Sequence, residues 1–193
     1  MTTATQENTK PTSADRPGSP STCRIYVASL SDYNSGILHG RWIDANQLAE
    51  DIHAEIQEML KASREPIAEE WAIHDFEGFE GWEPREYESI ETVARVAQFI
   101  DEHGEVFGAL LAHVDDFDHA ARMMTDGYRG VFDSLAAFAQ EWFEEIYSRE
   151  LDNLPNIVRH SIDWEEVARE LEMEDSILGL RFKHEVHVFD CQV

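Results

Sequence analysis

Apolar and polar positions along this chain follow two periods, and each period predicts a kind of element. Arg24-Ile25-Tyr26-Val27-Ala28 is a short β-type run, and the polar stretch after it, with Asp32, Asn34, Ser35 and Gly36, predicts a turn. Gly40-Arg41-Trp42-Ile43 reads as a second strand. From about 46 to 61, Leu48, Ile52, Ile56, Met59 and Leu60 recur at helical spacing while Glu50, Asp51, Glu55 and Glu58 take the other side. That pattern predicts an amphipathic helix with an acidic outer face. Pro66 stops it, Glu70-Trp71-Ala72-Ile73-His74-Asp75 is the next predicted strand, and Gly78 and Gly81 mark a turned connection.

Helical spacing then dominates. Ser89 is placed to cap a helix running to about 102, with Ile90, Val93, Ala94, Ala97 and Ile100 inward and Gly104 at its end. Two short helices are expected near 105–113 and 116–126, closing at Gly127. Asp133 or Ser134 caps a longer helix to about Arg149, with Leu135, Phe138, Ala139, Trp142, Phe143 and Ile146 as its apolar stripe. Pro155 breaks the next segment, and Asp163 caps an acidic helix from Trp164 to about 174. The alternation through Phe182, Val186, Val188 and Phe189 predicts a final strand or hairpin. No internal repeat recurs at a fixed period, so the fold class is α+β.

Charge changes the meaning of these amphipathic faces. Residues 23–193 carry 38 Asp and Glu against 13 Lys and Arg, a net charge of -25, yet 42% of the whole chain is hydrophobic, with five Trp, five Tyr and ten Phe. Such charge density usually belongs to disordered chains, but this one can bury a core beneath a charged surface. That surface repels nucleic acid and anionic lipid and attracts proteins whose working grooves are basic. At about one charge per 1.7 Å of duplex axis, it matches roughly 43 Å of DNA, and a dimer about 25 base pairs.

Self-repulsion favours an elongated chain of small subdomains. Met1 to Thr22 holds Pro11, Pro17, Gly18 and Pro20 without apolar periodicity and reads as a disordered extension. It lacks the apolar core of a signal peptide, and no run approaches the ~20 residues of a membrane span, so a cytoplasmic protein is expected. Cys23 and Cys191 show no motif spacing, which fits a reducing compartment.

Catalytic constellations are weak. Forty carboxylates guarantee pairs at helical spacing, so Glu141 with Glu145, or Glu166 with Glu170, does not identify a general acid and base. No nucleophile elbow or phosphate loop is present. His184, His187 and Cys191 lie in an extended segment that points residues three apart to opposite faces, which argues against zinc. Asp115-Asp116-Phe117-Asp118 lacks the spaced pattern of a calcium loop and reads as an acidic helix start. No cofactor is expected. Phe138, Trp142 and Phe143 have acidic neighbours where a base-stacking platform needs basic ones, so nucleic-acid binding is not expected either.

The acidic rows suggest imitation of DNA. Residues three and four apart on a helix stand about 5–6 Å apart at Cβ, comparable to successive backbone phosphates. Candidate rows are Glu50, Asp51, Glu55 and Glu58; Glu88, Glu91, Asp101 and Glu102; Asp115, Asp116 and Asp118; Glu141, Glu144 and Glu145; and Glu165, Glu166 and Glu170. A decoy of this kind engages the contacts that set affinity and ignores base edges, so it inhibits enzymes of different sequence specificity alike.

Several stretches resemble the ArdA antirestriction proteins: Ile25-Tyr26-Val27-Ala28 with Tyr33-Asn34 and Gly36; Leu38-His39-Gly40-Arg41-Trp42-Ile43-Asp44; Ala68 to Phe79; and Tyr128 to Leu135. The block Glu69-Glu70-Trp71-Ala72-Ile73-His74-Asp75-Phe76-Glu77-Gly78 is the most specific, because its order is unlike generic acidic composition. The resemblance implies a DNA mimic that occupies the DNA groove of the methyltransferase core of type I restriction-modification enzymes. It also implies an elongated protomer of three subdomains, near 23–82, 83–127 and 128–193, and a homodimer joined through the C-terminal part. The 22-residue extension departs from the family pattern. A second reading stays open, an acidic module or chaperone that sequesters a basic protein without copying DNA; salt-sensitive binding that excludes DNA separates the two. A carboxylate-dependent hydrolase, the third, would die on loss of one essential carboxylate.

Overall fold

A computed structural model describes residues 23–193; the expected disordered extension, 1–22, lies outside the described residues. The chain opens with β1 (Arg24–Ser29), the centre of an antiparallel sheet whose edges are β2 (Gly40–Asp44) and β3 (Trp71–Glu77). Ile25 pairs with Ile43, and Ile25 and Val27 are wholly buried. The polar stretch after β1 is a short helix, α1 (Leu30–Asn34), followed by a turn through Gly36 at φ 75°. The reason is local. The Ser29 hydroxyl accepts the Asp32 N–H at 3.4 Å, and Asp32, wholly buried, accepts the Ser63 hydroxyl at 2.6 Å. Hydrogen bonds from Ser29 and Ser63 hold that carboxyl below its ordinary range against the opposing effect of desolvation.

The helix α2 (Ala49–Lys61) buries Ile52, Ile56, Met59 and Leu60 against this sheet, as the periodicity predicts, but Leu48, expected on the same stripe, is its exposed N-cap residue. Each fully buried residue of this size contributes about 1.5–3 kcal/mol. After Phe79 come α3 (Ile90–His103), α4 (Val106–Val114) and α5 (Phe117–Thr125). Ser89 caps α3 by accepting the Thr92 N–H at 3.1 Å, and Gly104, at φ 97°, ends it. Phe107 packs its ring 4.3 Å from that of Phe99 and 5.5 Å from that of Phe117. Gly108 in α4 lies directly beneath the backbone carbonyl of Phe79.

The second antiparallel sheet has order β4-β6-β5, with β4 (Tyr128–Phe132), β5 (Ile177–Phe182) and β6 (Glu185–Asp190). The expected terminal hairpin is β5–β6, turning at Lys183 with φ 56°. The strand β4 was not expected; pairing with β6 creates it, through a register shift between Tyr128 and Gly130. Between the strands run α6 (Leu135–Ile146), α7 (Ser148–Asp152), α8 (Asn156–Arg159) and α9 (Trp164–Met173). Ser134 and Asp163 cap α6 and α9 as expected. The helix expected to reach Arg149 breaks instead at Tyr147 (φ −111°, ψ 29°), and α8 follows Pro155 where only a break was expected.

One core runs from Cys23 and Ile25 through α2, Phe79 and α3–α5 to Phe189. A second gathers Phe138, Ile177, Val186 and Val188. Thus β6 sends Val186 and Val188 into one core and Phe189 into the other. His187, also buried, has Nδ1 2.8 Å from the Tyr128 hydroxyl. Among the described residues no helix is long and apolar enough to cross a membrane.

Candidate functional site

Of the seventeen carboxylates in the predicted rows, all but Glu55 and Glu88 are exposed. The helices achieve this by burying the opposite face, whereas Glu88 precedes the start of α3 and Asp115 and Asp116 stand between α4 and α5. The rows are not equally free. On α2, Arg41 reaches across from β2 to Glu55 at 3.2 Å and Glu58 at 3.6 Å, and Gln47 donates to Glu55 at 2.8 Å. Glu50 and Asp51 keep their charge unpaired among the described residues, in the first turn where the helix dipole favours it.

On α3, a backbone N–H holds the Glu91 carboxyl below its ordinary range, and His53, 3.5 Å away, adds to the effect. Asp101 and Glu102 stand in the last turn. Between α4 and α5, Asp115 adopts a left-handed conformation (φ 55°) and Asp116 caps α5 by accepting the His119 N–H at 2.6 Å. Asp118 pairs with Arg95 at 2.6 Å, whose guanidinium lies 3.8 Å from the centroid of the Phe117 ring. This row is therefore partly committed to structure.

The C-terminal rows are more open. On α6, Glu144 accepts from Gln140 at 3.1 Å, while Glu141 and Glu145 have no ion pair among the described residues. The helix α9 packs along α6, with Trp164 6.0 Å from Phe143, and brings Glu165, Glu166 and Glu170 alongside. Arg169 pairs with Glu166. Exposed Glu172 in α9, which the sequence reading did not include, lies seven residues beyond Glu165, and that helical spacing was the signal for it; Glu174 at the C-cap and Asp175, at φ 51°, are exposed just past the helix.

Several of these carboxylates sit where they weaken the helix. Asp101 and Glu102 in α3, Glu144 and Glu145 in α6 and Glu172 in α9 lie at C-terminal ends, whose unsatisfied carbonyls disfavour negative charge by about 0.3–1 kcal/mol each. Stability alone does not place acids there. Among the described residues no group of His, Cys, Asp and Glu could hold a metal ion. His187 is buried and Cys191 half-buried, and burial pushes the Cys191 thiol up, away from the reactive thiolate.

Exposed apolar side chains recur between the end of α6 and α8: Ile146, Tyr147, Leu154, Ile157 and Val158.

These features place exposed carboxylates over two buried apolar cores in a mixed α+β chain. The chain belongs to the family described as antirestriction protein (ArdA), whose profile matches residues 25–182. No curated protein matches it.

Proposed function

We propose that this protein inhibits type I restriction-modification enzymes by imitating duplex DNA and occupying the DNA groove of their methyltransferase core. The observation that carries the reading is the set of exposed carboxylates on helices whose apolar faces build the core, several at helix ends where they oppose stability. Membership of an antirestriction family supplies the class of target. The protein acts by binding, with no turnover: carboxylates at phosphate-like spacing meet the Lys and Arg of the groove and release the same counterions that DNA would release.

The rows divide among three units, 23–82, 83–127 and 128–193, in a homodimer that doubles the length of the acidic surface. The apolar residues from Ile146 to Val158 are where a second copy docks, since they lie on the only stretch in the last third with several large apolar side chains exposed among the described residues. The setting is cytoplasmic, where the target works.

Binding of the purified protein to a type I methyltransferase core, with duplex DNA as competitor and salt varied, tests the reading. Mutually exclusive binding that weakens steeply with salt is expected. Binding that DNA leaves undisturbed would instead identify an acidic module that sequesters a basic protein without copying DNA.

A further inference from the structure

Two open cavities meet where the chain enters α3. One, of about 410 Å³, has Trp82 and Phe117 in its walls and Glu83, Glu88 and Asp115 in its lining. The other, of about 290 Å³, lies among His53, Trp71 and Tyr87 and is lined by Glu88 and Glu91. Glu88 borders both. Glu50, Asp51, Glu141, Glu145, Glu165 and Glu170 stand exposed on helices; here carboxylates line concavities with aromatic walls.

Glu88 differs from the rest of the rows. Only it and Glu55 are half-buried, and Glu55 has Arg41 and Gln47 as partners. The Glu88 carboxylate has no ion pair or hydrogen bond among the described residues, and neither do those of Glu83 and Asp115. A carboxylate partly withdrawn from water and left uncompensated gains most from a cation delivered to it. Arg85 lines the larger cavity without forming an ion pair among the described residues, so three carboxylates face one guanidinium.

We propose that this cleft receives two basic side chains of the protein partner: an arginine stacked on Trp82 among Glu83, Glu88 and Asp115, and a second arginine or lysine beside Trp71 and Tyr87, with Glu88 shared between them. The identity of that partner rests on the DNA-mimic reading; the chemistry of the cleft does not. A guanidinium is planar and weakly hydrated, so it stacks on an indole while its edge donates to carboxylates. A phosphate backbone offers no aromatic concavity. The cleft is thus a local anchor, a contact DNA does not make, set within a surface whose other charges act in aggregate.

The direct test titrates N-acetyl-arginine amide into the full chain and follows the indole N–H resonances of the five tryptophans, with sodium chloride at matched ionic strength as reference. Saturable shifts at Trp71 and Trp82, with Trp142 and Trp164 unmoved, are expected. Glu88→Gln abolishes them, Asp126→Asn, outside the cleft and the rows, leaves them unchanged, and Arg85→Ala tightens the midpoint about twofold or more by removing a competing cation. Uniform shifts at all five indoles, none at Trp71 and Trp82, or a weaker midpoint in Arg85→Ala would overturn the proposal. Against a type I methyltransferase core, Glu88→Gln loses about tenfold in affinity and Glu141→Gln no more than about threefold; equal losses would also overturn it. If the core fails to bind while the arginine amide titrates as expected, the DNA-mimic reading falls and the cleft stands with another arginine-bearing partner.

Discussion

Replacing Gly108 by Ala sets two opposed effects against each other. In the interior of α4 alanine should gain about 1 kcal/mol over glycine through helix propensity. At this position, however, the added methyl would fall on the carbonyl of Phe79, 2.9 Å from its carbon and 3.3 Å from the Glu80 side chain, with the carbonyl oxygen nearer still. Those are mainly backbone atoms, so no rotamer change relieves the clash; the helix must lift off the segment that joins the first sheet to α3. Overpacking of this kind costs about 1–3 kcal/mol and occasionally more, so the upper part of that range decides the sign. We expect a net loss of about 2 kcal/mol, lowering Tm by about 4–8 °C at this chain length. Thermal unfolding by circular dichroism measures it, with Ala54→Gly on the exposed side of α2 as the propensity reference, expected to lose about 1 kcal/mol. A Gly108→Ala protein as stable as the parent, or more so, would refute the close approach of α4 to Phe79.

Burial lowers the His187 pKa, with Glu185 opposing. Below its unfolded value of about 6.5 the unfolded chain therefore binds a proton the folded one refuses, and stability falls as pH drops from there towards the folded value. His187→Gln should flatten that part of a stability profile between pH 7 and pH 5, and an unchanged slope would remove His187 as its source. Salt should raise Tm, because a Debye length of about 8 Å at 0.15 M screens carboxylates on neighbouring helices; a Tm that falls as salt is added contradicts exposed self-repelling rows. Glu141→Gln and Glu145→Gln should each weaken binding to the methyltransferase core by about two- to threefold and combine nearly multiplicatively. Complete loss from either one alone, in a folded protein, would point to an essential catalytic or anchoring group instead.

What the sequence made legible was whatever depends on neighbours within one or two turns. Ser89, Ser134 and Asp163 could be read as caps because the apolar periodicity starts immediately after each, and all three accept the N–H groups expected of them. The strand β4 was hidden because Tyr128-Arg129-Gly130-Val131-Phe132 is short and interrupted by glycine; its partners, Val186 to Phe189, lie far along the chain. The break at Tyr147 was hidden because the apolar spacing continues through Ile146 into a residue the core does not cover. For the acidic faces, exposure followed from the helical pattern. Their pairing did not, since Arg41 comes from a strand to α2 and Arg95 from α3 to Asp118. The cleft around Glu88 draws its lining from several separate segments and has no local signature at all.

The strand order of the two sheets has a practical consequence for anyone who handles this protein. β1 comes first among the described elements and β6 last, and each is the middle strand of its sheet. Trimming from either side therefore removes a central ladder and leaves two strands with nothing between them, instead of shortening an edge. A tag or fusion joined before Cys23 or after Val193 should be tolerated, whereas a cut a few residues inside Arg24 or Asp190 should unravel a whole sheet. Within residues 23–193, limited proteolysis should accordingly cut in the interior, near Asn153 and Pro155, before it erodes β1 or β6.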